Sequence, residues 1–269
     1  MPNRILLIVE GKKTEPSIFG DVFRRYGFNC RISDKKLDAY DGGQFDEYQY
    51  VYEGSIKSEV VIVEGPRSRI HGFLKLISEQ PVFLERALSF EVNHFQKIFL
   101  LYDVDHNDCD DVIKMSSKFD DESNGMLLLS SPCIEVLGDY NRDREPAKFC
   151  HLSEYKKDIN VHRNGRTLEY IKDNFESIML HFLNKNRTDF DESNIMEHPR
   201  LIVGWINRLN ERVNLSGEEK SYVLYRYYST VVYVAIASAK SLTKEIDNYE
   251  LVKSFFELER QKRIGVKEK

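Results

Sequence analysis

Four short apolar runs constrain this chain more than anything else in it: RILLIV at 4–9, EVVIV at 59–63, KIFLLY at 97–102 and MLLLS at 126–130. Each is continuous rather than alternating, as strands buried on both faces are. Between them lie stretches of helical period: EPSIFGDVFRRYG after the first, SRIHGFLKLISEQPVFLERALSF after the second, broken near Pro81, and DDVIKMSSKF after the third. Strands alternating with helices in this way make a mainly parallel sheet, so the expected class is α/β with a four-stranded, Rossmann-like sheet.

Residues 28–58, with YDGGQFDEYQY, form a polar, glycine-punctuated insertion with room for a hairpin of its own. Beyond about residue 140 the pattern changes. TLEYIKDNFESIMLHFLNKN, PRLIVGWINRLNERV, EEKSYVLYRYYSTVVYVAIASAKSL and NYELVKSFFELERQKR all have helical spacing. The polar, turn-rich segment between 138 and 166 is the expected boundary. The organisation is thus a domain at 1–140 that carries the sheet and a helical domain at 141–269 for substrate positioning or partner docking. At 269 residues, with 41% hydrophobic and 31% charged side chains, the chain is long and apolar enough for both cores.

Net charge excludes one class of function. Residues 1–150 hold 19 basic and 26 acidic side chains, and 151–269 hold 20 and 18, which together give the total of −5. A chain whose first half stands at −7 does not bind nucleic acid by bulk positive charge, although local patches and metal ions still recruit phosphates. Cys30, Cys109, Cys133 and Cys150 show no C-x-x-C spacing, so neither a disulfide framework nor a zinc ribbon is expected. The first apolar run is too short for a signal peptide, and STVVYVAIASA at 229–239 is short of the roughly 20 residues of a membrane span. The expected setting is a reducing cytoplasm, with no membrane.

In open parallel sheets, functional groups gather outside the carboxyl ends of the strands. Here the first strand runs into Glu10, the second into Glu64 and the third into Asp103 and Asp105, while Glu135 follows the fourth. Clustered carboxylates repel one another, so their convergence is explained best by a hard cation, and magnesium takes one or two carboxylates plus substrate phosphate. Gly11 lets a ligand approach the backbone behind Glu10. Thr14 is placed to cap the helix that begins near Glu15 and Pro16, whose N-terminal amides favour an anion.

These same residues carry a resemblance. IVEGKKTEP followed by LLYDVDHND resembles the TOPRIM domain, the metal-binding catalytic domain of topoisomerases, primases and several nucleases. EGKKTEP together with SSPCIEVL resembles, more narrowly, the RloB family of bacterial TOPRIM proteins found with ATPase partners in phage defence, including abortive infection. The matching motifs span about the first 140 residues. Ser131 stands where that family usually has Asn, Ile134 where an aromatic is common, and the gap from Glu10 to Asp103 is long for a minimal TOPRIM domain.

The resemblance implies a nuclease that uses Mg²⁺ or Mn²⁺, held by Glu10, Asp103, Asp105 and Glu135, on DNA or tRNA. Glu10 or a water on the cation supplies the base. An ATPase encoded nearby is the expected partner, and a homo-oligomer is compatible with the sequence. Two other classes stand beside it. One is a catalytically silent TOPRIM-fold binding or regulatory module; the other is a small-molecule phosphohydrolase, disfavoured because the Asp pair that closes the third strand, DVDHN, lacks the Thr or Val of a D-x-D-x-[TV] nucleophile loop.

Several residues keep two readings at this stage. Glu64 competes with Glu10 as the catalytic acid, since VEG occurs twice. Glu15 is either a metal or supporting acid or a first-turn acid favoured by the helix dipole. Lys12 and Lys13 are phosphate contacts or solvated charge; Leu6 occupies the position where a Walker loop would need glycine. His106 is a proton shuttle or a surface histidine. Tyr222, Tyr225, Tyr227, Tyr228 and Tyr233 stack bases or, as expected of an aromatic stripe, pack.

Overall fold

A computed structural model describes residues 3–32, 37–38, 44–45, 47–53, 57–64, 70–79, 95–104, 109–121, 123, 125–142, 147–149, 151–190, 211–214, 221–225 and 227–242. In chain order the elements are β1 (Asn3–Val9), α1 (Thr14–Arg25), β2 (Asn29–Ile32), β3 (Leu37–Asp38), β4 (Gln44–Phe45), β5 (Glu47–Glu53), β6 (Lys57–Glu64), α2 (Ile70–Glu79), β7 (Lys97–Asp103), α3 (Cys109–Lys118), β8 (Asp120–Asp121) and β9 (Gly125–Ser131). A 3-10 helix (Ile134–Asp139) follows, then β10 (Ala147–Phe149), α4 (Leu152–His162), α5 (Thr167–Phe190), β11 (Glu211–Asn214), β12 (Ser221–Tyr225), β13 (Tyr228–Ser229) and α6 (Tyr233–Lys240).

The protein is α/β with a mixed, largely parallel central sheet, ordered β13-β9-β7-β1-β6-β5-β2, with β8 paired to β9. β6, β1, β7 and β9 run parallel and are the four apolar runs of the sequence. The expected count of four is therefore corrected to eight. Antiparallel β5 and β2 extend one side, and β13 and β8 pair with β9 on the other. The insertion at 28–58 holds antiparallel pairs, β3 with β4 and β2 with β5, but that β2 and β5 extend the main sheet is not legible, because edge and antiparallel strands alternate instead of running continuously apolar. In β5, Tyr48, Tyr50 and Tyr52 fall on one face, and Tyr50 and Tyr52 meet Phe23 and Phe28 at ring separations of 5.3 and 5.5 Å.

α1 forms where predicted. Its Ile18, Phe19, Val22 and Phe23 are buried on one stripe, and Gly27, at φ 91°, lets the chain turn away. The Gly27 and Phe28 amides bond back to Arg24 and Phe23 carbonyls at 3.0 Å each, which satisfies the helix end. α1 packs against α5, with Phe19 edge-on to Phe175, and against α6. α2 packs against α3, and its Phe73 stands against Tyr102 of β7 and against Phe119. With helices on both sides, β1, β7 and β9 are buried nearly throughout.

The second half is not purely helical, which corrects the expectation for 141–269. α4 and α5 are there, but β10, β12 and β11 make a three-stranded sheet, and β13 joins the main sheet. Among the described residues of EEKSYVLYRYYSTVVYVAIASAKSL, 233–240 alone is α-helix. Its Tyr and Val residues favour strands, and tertiary pairing with β9 decides in favour of that propensity. Residues 199–210, including Trp205, and 248–263 lie outside the described residues. From Tyr233 to Ala239 α6 is buried on all sides, and Tyr227, Tyr228 and Tyr233 are buried as packing residues, while the side chains of Tyr222, Tyr225 and Lys240 lie outside the described residues. The Ser241 hydroxyl reaches Ser58 at 2.7 Å, and its carbonyl accepts from Asn3 at 2.9 Å, so the end of α6 is tied to the start of β1 and β6. Among the described residues no helix is long and apolar enough to cross a membrane.

Candidate metal centre

From β1 the chain reaches β6 on one side and then returns to β7 on the other, so the crevice beyond the carboxyl ends of β1 and β7 is where the strand order reverses. Val9 pairs with Leu101, and the Glu10 amide continues that ladder to the Leu101 carbonyl at 3.1 Å. The side chain of Glu10 reaches across to the neighbouring strand, and its Oε2 accepts the Asp103 amide at 2.9 Å. Two residues 93 apart in sequence are thereby fixed edge to edge.

Beyond Asp103, the Val104 amide bonds the Ser130 carbonyl at 2.8 Å, and β9 passes through a cis Ser131–Pro132 bond into the 3-10 helix. Glu135 occupies its first turn. A carboxylate oxygen of Asp103, the Cys133 sulfur and a carboxylate oxygen of Glu135 all lie within 4.8 Å of one another. Glu15, in the first turn of α1, is only 4% exposed, and its Oε2 has no hydrogen-bond partner.

Electrostatics mark this group as short of positive charge. Burial pushes the Asp103 carboxyl well above its ordinary range, and the charges of Glu15, Glu10 and Glu135 push it further. Burial also raises Glu15, with Glu135 adding to it, while hydrogen bonding from the Glu15 and Gly11 backbone pulls the other way. The cation that lowers both is Lys156 of α4, whose Nζ stands 3.7 Å from Glu135 Oε2. That oxygen too is buried without a hydrogen bond.

Gly11 has a steric role here. A Cβ built on it would land on the Glu15 carboxylate, so only glycine leaves that acid its place. The cap expected from Thr14 is absent. The helix begins at Thr14 itself, Lys13 holds the capping position, and lysine has no acceptor with which to cap. Lys12 and Lys13 are exposed and line an open cleft of about 320 Å³ with Pro16, Ser17, Arg24, Cys30, Tyr48 and Tyr50.

The structure therefore brings Glu10, Glu15, Asp103 and Glu135 to one edge. Glu64 ends β6 with its backbone beside Val9, one strand over; its side chain, like Asp105 and His106, lies outside the described residues. Cys133 and Lys156 are the members that the sequence reading did not assign. Cys133 sits inside the quoted SSPCIE segment, but a lone cysteine carries no spacing signal. Lys156 lies 21 residues past Glu135 on another helix, and nothing local announces it.

Oxygen donors that repel one another and, among the described residues, have the Lys156 ammonium beside them fit a hard divalent cation, which would neutralise them. Comparison with protein-family models, with curated proteins and with solved structures gives no match, so the chemistry of the site is read from its residues.

Proposed function

We propose that this protein is a Mg²⁺- or Mn²⁺-dependent nuclease of TOPRIM type, cleaving phosphodiesters of DNA or tRNA as the effector of an RloB-like anti-phage system. The observation that carries the reading is the meeting of Glu10 and Asp103, delivered by adjacent parallel strands, with Glu135 from the segment after β9. Strand ends at a switch point are where such sheets place their chemistry.

Asp103 and Glu135 are the residues that would hold the cation, with Glu10 beside them. A bound divalent cation would stabilise the charge that builds on the cleaved phosphate. Glu10, anchored by the Asp103 amide, is positioned to take a proton from the attacking water. Glu15 adds negative charge behind the site and so strengthens its preference for a cation. Lys12, Lys13 and Arg24, in the cleft that opens beside the Glu10–Gly11 turn, offer cations for the phosphates of a bound strand, and Tyr48 offers an aromatic face. A local basic track of this kind answers the negative charge of the first half of the chain.

Control by an ATPase encoded nearby belongs to the same proposal. An acidic domain with a small basic track binds a polyanion weakly by itself, and a partner that holds the strand relieves that. The test is incubation of the purified chain, with and without the neighbouring ATPase, with labelled DNA and total tRNA in Mg²⁺ and in Mn²⁺. Cleavage that needs the cation and is lost in Glu10→Gln and Asp103→Asn supports the reading. Cation-binding without cleavage of either substrate, in any combination, supports the silent-module alternative instead.

A further inference from the structure

Cys133 is the donor in this cluster for which a magnesium site has no use. Hard cations take oxygen, whereas thiolate sulfur selects softer ions such as zinc and cobalt. Many buried cysteines serve simply as small apolar side chains. The surroundings of this one differ, because its sulfur lies within 4.8 Å of two carboxylate oxygens from different segments. Its position is also well defined: it is fully buried, at the extended residue that precedes the 3-10 helix, and its carbonyl accepts the Val136 amide at 2.9 Å.

A second, independent observation comes from Glu15. Its buried Oε2 is left without a hydrogen-bond partner, although a buried carboxylate oxygen normally has one. Its charge acts on Asp103, and that of Glu135 acts on it. Two oxygens and one sulfur therefore converge from the end of β7 and the segment after β9, with the charge of the buried Glu15 of α1 acting on Asp103 beside them. Three mixed donors of this kind suit a tetrahedral ion whose fourth position is left to water.

We infer that Asp103, Cys133 and Glu135 form a three-donor site for a thiophilic divalent cation of the zinc type, with the buried charge of Glu15 beside it. A zinc–sulfur bond of about 2.3 Å and zinc–oxygen bonds of about 2.1 Å put tetrahedral donors roughly 3.6 Å apart. The group closes by about an ångström to reach that, which carboxylate rotamers can supply. On binding, the sulfur lone pair forms the new bond and the thiol proton leaves to water; no electron is transferred. Because the soft ion takes Asp103 and Glu135, it excludes the hard cation, and zinc becomes an inhibitor. That last consequence rests on the nuclease reading; the site itself does not.

The experiment titrates the full chain, stripped of metal, with Co²⁺ as a coloured stand-in for zinc. The expected result is one Co²⁺ per chain with a thiolate-to-cobalt charge-transfer band in the near ultraviolet, removed by Zn²⁺ and absent in Cys133→Ser and Cys133→Ala. A band that persists in both variants, or no band in the wild type, overturns the inference. Should both cysteine variants melt too low to be read, Glu135→Gln decides: a loss of at least about tenfold in Co²⁺ affinity is expected, and an unchanged affinity overturns the site. Wild-type cleavage in Mg²⁺ is followed in parallel. Cleavage without the cobalt band defeats this inference and leaves the nuclease standing; the band without cleavage does the reverse.

Discussion

Asp103→Asn isolates the electrostatic cost of the site from its chemistry. The Asp103 and Glu135 oxygens lie within 4.8 Å, and two unit charges at that distance repel by about 3.5 kcal/mol at an effective dielectric of ~20. Both side chains are half-buried, so solvent screens part of this, and Lys156 beside Glu135 offsets more. A net relief of about 2 kcal/mol remains for the metal-free chain, which for a protein of this size is a rise of roughly 5 °C in Tm.

The pH dependence fixes the sign. Asp103 and Glu15 have carboxyls raised in the folded state, so the native protein holds protons that the unfolded chain releases. That contribution to stability is complete below the unfolded carboxylate value near pH 4 and is lost as pH rises through the raised folded values. The metal-free wild type should therefore melt higher at pH 5 than at pH 8. Asp103→Asn should flatten the slope and melt higher than wild type at pH 8. Mg²⁺ or Mn²⁺ should raise the wild-type Tm at pH 8 and leave the variant nearly unmoved. Scanning fluorimetry with and without EDTA measures all of this. A variant that is less stable than wild type at pH 8 without metal, or that responds to the cation just as strongly, would refute the argument that these carboxylates are held together against their own repulsion.

Three further outcomes follow from the same geometry. Gly11→Ala should push the Glu15 carboxylate aside at a cost of about 1 kcal/mol, the low end for overpacking, and Gly11→Ala/Glu15→Ala should recover most of the lost Tm; failure of the double variant to recover would place the clash elsewhere. Replacing Lys12, Lys13 and Arg24 together by Ala should weaken binding of a labelled single-stranded oligonucleotide and lower the slope of log affinity against log salt by about 2, at ~0.7 per phosphate contact on a single strand. An unchanged slope would show that the cleft is not the track. Glu10→Gln should remove cleavage while Glu64→Gln costs much less, because the Glu10 carboxylate is the one held against the Asp103 amide; the opposite ranking in a gel assay would move the catalytic acid one strand over.

The sequence by itself determined the parallel centre of the sheet and the edge at which its acids gather. β6, β1, β7 and β9 were legible because a strand covered on both faces must be apolar at every position, and acids that close such runs have to lie at one edge. The helix Thr14–Arg25 and the long helix Thr167–Phe190 were legible from period alone. What only the tertiary structure decided depends on contacts between distant segments. β2 and β5 join the sheet through alternating patterns that a polar insertion disguises, and β13 lies in a stretch of helical spacing, because pairing with Ser130 and Ser131 of β9, about a hundred residues away, has no local sign. In the site, spacing announced Glu10, Asp103 and Glu135. The approach of Lys156 and the exclusion of every residue but glycine beside Glu15 are properties of packed side chains in three dimensions. So is the entry of Cys133 into the carboxylate group, since a single sulfur acquires meaning only from what the fold sets around it.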